Sequence, residues 1–113
     1  MLQLSALART LGVELLLGLV LLHRLAPDAS LRRRVAVLLG VNLATHPLAW
    51  SCNRALAPWL AFEPRAAAIE AAVVAVESLA FARLVPLPWP RALVLAAVIN
   101  AASFGFGLWW MMR

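Results

Sequence analysis

The sequence predicts an all-α protein, a four-transmembrane-helix antiparallel bundle, and three observations carry that prediction. Apolar residues make up 65% of the 113-residue chain and charged residues 13%, about half the quarter that soluble domains carry. The apolar residues gather into four stretches near the roughly 20 residues that cross a hydrocarbon core. The connections between them are short and punctuated by Pro, Asp and Ser, which favours antiparallel neighbours. A mean hydropathy of +0.90 agrees.

The first helix is expected over about 4–25, where LGVELLLGLVLL supplies the apolar run. Pro27 and Asp28 stop it, and Asp28 or Ser30 can cap the next helix by accepting from its free N–H groups. The second is expected over about 35–52, the third over 65–84 after Glu63-Pro64, and the fourth over 91–111 after VPLPWP. Proline is harmless in a first turn because its missing N–H would have no partner there. Residues 54–62, RALAPWLAF, are too short to cross and read as a segment lying in the membrane interface, with Trp59, Leu60 and Phe62 beside Pro58. All 113 residues thus form one integral membrane domain.

Charge excludes several classes. The ten basic residues are all Arg against five acids, yet only Arg32, Arg33 and Arg34 cluster, so no basic stripe tracks a nucleic acid. Single Arg residues at the ends of apolar runs anchor helices against headgroups instead. Cys52 is alone, which rules out an internal disulfide and a CxxC site. Arg9 and Glu14 interrupt what would be a cleavable signal peptide. No cofactor motif is present, and the partners expected are the lipid bilayer and a homo-oligomer or larger membrane complex, in the inner (plasma) membrane.

Arg24, Arg32, Arg33, Arg34, Arg83 and Arg91 fall on one side of this topology, and Arg9, Arg54, Arg65 and Arg113 on the other. The excess favours both termini outside the cytoplasm. The three consecutive Arg residues oppose the dipole of the second helix, and attraction to anionic lipid outweighs that. Trp50, Trp59, Trp109 and Trp110 then share one interface, with Trp89 at the other.

Polar residues within the apolar stretches are the candidate site. At 100° per residue, Thr10 and Glu14 share a face of the first helix; Asn42, Thr45, His46 and Asn53 a stripe on the second; Glu70 and Glu77 one on the third; Asn100, Ser103 and Gly107 one on the fourth. A rise of 1.5 Å per residue from the Arg-rich ends puts Asn42 and Glu77 at about 10 Å and Asn100 at about 14 Å. The same rise puts Glu14 at about 15, His46 at about 17, Ser103 at about 18 and Glu70 at about 21 Å. Two layers follow, Asn42, Glu77 and Asn100 below, and Glu14, His46, Ser103 and Glu70 above.

An acid at mid-membrane costs about 2.5 to 3.5 kcal/mol, whereas a Leu or Val returns only about 0.3 to 0.6. The third helix carries two acids among many Ala residues and must be shielded by its neighbours. Its carboxyls either hold a proton or pair with a base. His46 is the only base at that depth, so a contact from His46 to Glu70 or Glu14 is expected. Pro47 removes an N–H and frees the carbonyl of Leu43. The small residues Ala67, Ala71 and Ala75 read as helix packing.

Through Asn42, Thr45 and Pro47, Glu70 and Glu77, and Asn100 and Ser103, residues 35–111 resemble a family of small, uncharacterised bacterial polytopic membrane proteins. These share Asn-x-x-Thr-x-Pro, Glu-x6-Glu and Asn-x-x-Ser motifs. The resemblance implies a shared polar site and brings no activity with it. In length, helix number and Glu14 the chain is also similar to the small multidrug resistance transporters, whose membrane Glu exchanges protons for cationic drugs. It departs from them in having no Tyr, no Gly-x-Gly in the third helix, and acids there.

Two functions follow. The first is a structural or assembly component whose buried Glu, His, Asn and Ser network fixes helix register. The alternative is a proton-coupled transporter of a small molecule or cation using the midplane Glu residues. Catalysis by His46 with Ser103, or a metal on His46 and the acids, lacks any supporting motif.

Overall fold

The computed structural model of the chain describes residues 2–113, with side chains from Leu4 onward. Four helices fill it: α1 (Leu2–Leu25), α2 (Leu31–Leu56), α3 (Phe62–Leu84) and α4 (Trp89–Met111). Each packs on its two neighbours in a closed ring, α1 against α2 and α4, α3 against α2 and α4. Among the described residues the diagonal pairs do not approach, which leaves the ring's axis to side chains.

Helix ends depart from hydropathy for local chemical reasons. α2 starts at Leu31 rather than 35 because Ser30 caps it, accepting from the Arg33 N–H at 3.1 Å. The apolar run begins later than the helix. α2 also continues through Pro47 to Leu56, so residues 54–62 do not form a separate interfacial segment. They divide between the last turn of α2, a tight turn in which the Trp59 and Leu60 N–H groups donate to the Leu56 carbonyl, and the start of α3. α4 takes in Trp89 and Pro90 because a first turn tolerates proline.

Arginines tie the connections. Arg34 is buried, its Nη2 donating to the carbonyls of Ala26 at 3.2 Å and Pro27 at 2.9 Å while Nη1 lies 3.3 Å from His23 Nδ1. Arg33 Nε donates to the Leu84 carbonyl at 2.8 Å, drawing the end of α3 to the start of α2. Arg65 does the same at the other end of the bundle, through Asn53 Oδ1 at 2.7 Å and the Leu60 carbonyl at 2.9 Å. The expectation that all three consecutive Arg residues face lipid fails for Arg34, because the Pro27-Asp28 turn folds two carbonyls back within its reach.

Packing is one-sided along the bundle. The apolar core consists of Leu22, Ala26, Ala29, Val37, Leu38, Val41, Phe81, Val85, Leu87, Ala92, Leu95, Ala96 and Ile99. All of these lie toward the end formed by the C-termini of α1 and α3 and the N-termini of α2 and α4. Beyond Glu14, Thr45, Glu77 and Asn100, toward the chain termini, no described residue is buried. Gly18 sits where α1 meets α2, and an added Cβ would stand 2.7 Å from Leu38 Cδ2. Leu38 is itself buried, so Gly18→Ala is expected to destabilise by about 1–3 kcal/mol. Gly40→Ala, whose Cβ meets nothing within 4 Å, is expected to be neutral or slightly stabilising. Thermal unfolding of the two variants checks the pair.

Helices α1, α2 and α4 are long and apolar enough to cross a membrane. α3 has the length, 23 residues, but carries Glu70 and Glu77 between Arg65 and Arg83.

Candidate functional site

The polar residues predicted from spacing meet at the boundary between the packed and the open half. Glu77 of α3 is 1% exposed and is held from two sides. Thr45 Oγ1 of α2 donates to its Oε1 at 2.9 Å, and Asn100 Nδ2 of α4 donates to its Oε2 at 2.5 Å. Asn100 Nδ2 also donates to the Ala96 carbonyl at 2.8 Å, which fixes the amide. One turn away Ser103 Oγ donates to Oε1 of Glu14 at 2.7 Å, joining α4 to α1. The same hydroxyl lies 3.1 Å from the Asn100 carbonyl. A continuous chain thus runs from Glu14 through Ser103, Asn100 and Glu77 to Thr45, with at least one member on each helix.

Counting hydrogens shows what this chain can do. Thr45 Oγ1 is 2.9 Å from both Glu77 Oε1 and the Val41 carbonyl, but a hydroxyl has one hydrogen. When Glu77 is a carboxylate, Thr45 donates to it. When Glu77 is protonated, its O–H donates to Thr45, and Thr45 turns to Val41. Ser103 has the same choice between Glu14 and the Asn100 carbonyl. Each carboxyl is therefore paired with a hydroxyl that serves it in either protonation state, a pairing suited to groups that gain and lose protons in place.

Glu14 is also 1% exposed, and its second oxygen, Oε2, meets no donor at hydrogen-bond geometry, although the Asn42 amide stands close by. An unpaired buried oxygen on an acid is costly, roughly 1–3 kcal/mol or more. Asn42, whose amide donates to the Leu38 carbonyl of its own helix at 2.8 Å, stands near Glu14 rather than completing a layer with Glu77 and Asn100. Glu70 is half-buried, makes no hydrogen bond among the described residues, and feels the charge of Glu77, as Glu14 feels that of both.

His46 does not pair with a carboxylate. Its Nε2 accepts from Trp50 Nε1 at 2.8 Å, one turn along α2. An Nε2 that accepts a hydrogen bond carries no proton, so in this geometry His46 is not the counter-cation of the acids. The i to i+4 spacing of His46 and Trp50 was visible in the sequence, and an indole N–H at that spacing competes for the imidazole. Ser103 faces Glu14, so the pairing of His46 with Ser103 also has no geometric basis.

Above this floor the helices enclose an open cavity of about 300 Å³. Glu14, Thr45, Glu77, Asn100 and Ser103 form its deep end, His46 and Glu70 its middle, and Ala6, Arg9, Asn53, Phe62 and Met111 its outer end. Trp50, Ile69, Val73, Phe104 and Phe106 make much of the wall apolar. Among the described residues no Arg lies within 4.0 Å of a carboxylate, and no three His, Cys, Asp or Glu side chains are grouped to hold a metal ion. The cavity therefore gathers three acids and supplies no positive partner at their depth. Thr10 and Gly107 from the predicted stripes line it as well.

The chain matches no protein-family model, no curated protein and no solved structure.

Proposed function

We propose that the protein is a multi-pass membrane protein whose cavity binds a small organic cation in exchange for protons, the second of the two functions the sequence allows. Its surface supports the membrane part. Large apolar side chains are turned outward on all four helices, among them Leu16 (71% exposed), Leu48 (65%), Leu79 (54%) and Val94 (57%). Such a girdle needs an apolar solvent. α3, too acidic to enter alone, is shielded because Glu77 bonds to α2 and α4 and Glu70 lines the cavity between the helices. The Arg-rich end, taken as cytoplasmic, is the packed one, so the cavity opens outward across an inner (plasma) membrane.

The single observation that carries the reading is a cavity reaching three carboxylates, none of them paired with a cationic side chain among the described residues. A structural network has no use for that opening; its polar groups would be satisfied by one another in a closed core. About 300 Å³ is the lower end of the size of small-molecule sites, roughly 300–1,000 Å³. Carboxylates in an apolar-walled cavity bind either protons or a cation, and the two compete.

The test is calorimetric titration of hexylamine into the purified protein in detergent or nanodiscs. Saturable binding is expected to weaken as pH falls, with proton release on binding, and to drop about tenfold or more in Glu14→Gln and Glu70→Gln while helix content holds. Absence of saturable binding at every pH, by hexylamine and by ω-amino carboxylates alike, returns the polar network to the structural role.

A further inference from the structure

The outer end of the cavity carries charge of the opposite sign to its floor. Arg9 belongs to the cavity wall. Its guanidinium lies 5.1 Å from the centre of the Trp110 ring, and that of Arg113 lies 5.4 Å from the same ring and 4.7 Å from Trp109. A guanidinium over a ring face spends none of its N–H donors on a hydrogen bond in that contact. Arg9 makes no hydrogen bond or ion pair among the described residues, so its donors have no acceptor there. Arg9 thus sets one positive charge in the wall of a cavity whose floor is acidic.

An organic cation that also carries an anionic group uses this arrangement more fully than a simple one, which leaves Arg9 unanswered. We infer that the ligand is dipolar: an ammonium group that donates to Glu14 at the floor beside Glu70, and a carboxylate or phosphate that accepts from Arg9 at the mouth. This rests on the proposed binding function and specifies the class of molecule. The floor supplies the second observation, independent of Arg9. Glu14 is 1% exposed, walls the deep end, and has one oxygen with no donor at hydrogen-bond geometry. An N–H of the ligand is the group it lacks. A bare divalent ion does not meet the need, since the acids are not grouped for metal coordination.

Length follows from the helix. Glu14 is five residues beyond Arg9, about 7.5 Å of rise, and the Arg side chain adds reach. An extended chain of five methylenes spans that rise between an amine and a carboxylate. The apolar walls, with Phe104, Phe106 and Trp50, suit the methylene segment between the two charges.

The experiment titrates one protein with unbranched ω-amino carboxylates of four, six and eight carbons, with hexylamine and with hexanoate. The six- or eight-carbon amino acid is expected to bind about tenfold or more tightly than hexylamine, and the four-carbon one weakly, because it cannot reach both ends. Arg9→Gln reverses the order, lowering amino-acid affinity about tenfold and raising that of hexylamine by removing repulsion. Arg9→Lys, which keeps charge without the planar fork, falls between. Arg9 is half-exposed, and circular dichroism verifies that both variants keep their helices. Hexylamine binding as tightly as every amino acid, or affinities insensitive to Arg9→Gln, overturns the dipolar ligand and leaves the cation-binding function standing. Saturable binding by none of the probes overturns both.

Discussion

Glu77→Ala is expected to destabilise the bundle by about 2–4 kcal/mol, while Glu77→Gln stays within about 1 kcal/mol of the wild type. The difference comes from hydrogen counting. Alanine leaves one N–H of Asn100 without its acceptor and opens a void where α2, α3 and α4 meet. Glutamine reproduces the protonated acid: its carbonyl accepts from Asn100, its amide donates to Thr45 Oγ1, and the Thr45 hydroxyl turns to the Val41 carbonyl. Every polar atom keeps a partner. Thermal unfolding in detergent followed by circular dichroism distinguishes the two, and equal losses would mean that charge, not hydrogen bonding, holds Glu77 in place.

The second large effect is expected at the packed end. Arg34→Met should cost about 2–3 kcal/mol, more than a surface arginine, whose replacement is usually worth under about 0.5. The guanidinium bridges the Ala26 and Pro27 carbonyls and meets His23. The Ala26 carbonyl retains the Ala29 N–H; the Pro27 carbonyl loses its donor, and the turn from α1 to α2 loses its tie. Lysine keeps the charge but presents a point donor in place of a fork, so Arg34→Lys should recover part of the loss. Limited proteolysis in residues 26–30 should rise in the same order, Met above Lys above wild type.

Much of the bundle was legible because hydropathy and helical rise are additive along a chain. Four apolar stretches with capped and proline-marked ends give four helices, and axial rise alone placed Glu14 beside Ser103 and Glu77 beside Asn100. Features that depend on the direction of a side chain were not legible. Asn42 and Glu77 were expected at one height, but Asn42 turns to its own helix and toward Glu14. His46 had a carboxylate at the right depth and took the nearer indole of Trp50. Arg34 carries the most hydrophilic side chain type in the sequence and is buried, since its partners are carbonyls, which composition does not reveal. The division into a packed and an open half was hidden for a related reason. Leu4 and Leu22, or Val41 and Leu48, are alike in hydropathy, and only the helix paths decide which of them have neighbours.

That division sets different tasks for the two ends of each helix. The inner turns are clamped by Leu22, Leu38, Phe81 and Leu95 and keep the carboxyl groups at fixed spacing. At the outer turns of α1 and α4, Arg9 lies over the Trp110 ring, a contact worth only about 0.5–1 kcal/mol when exposed. The outer turns, where no described residue is fully buried, carry less packing than the turns that hold the acids. In kinetic language, residence time belongs to the entrance and selectivity to the floor, so substitutions at Arg9 or Trp110 should act on dissociation rates through a path that those at Thr45 or Asn100 do not share.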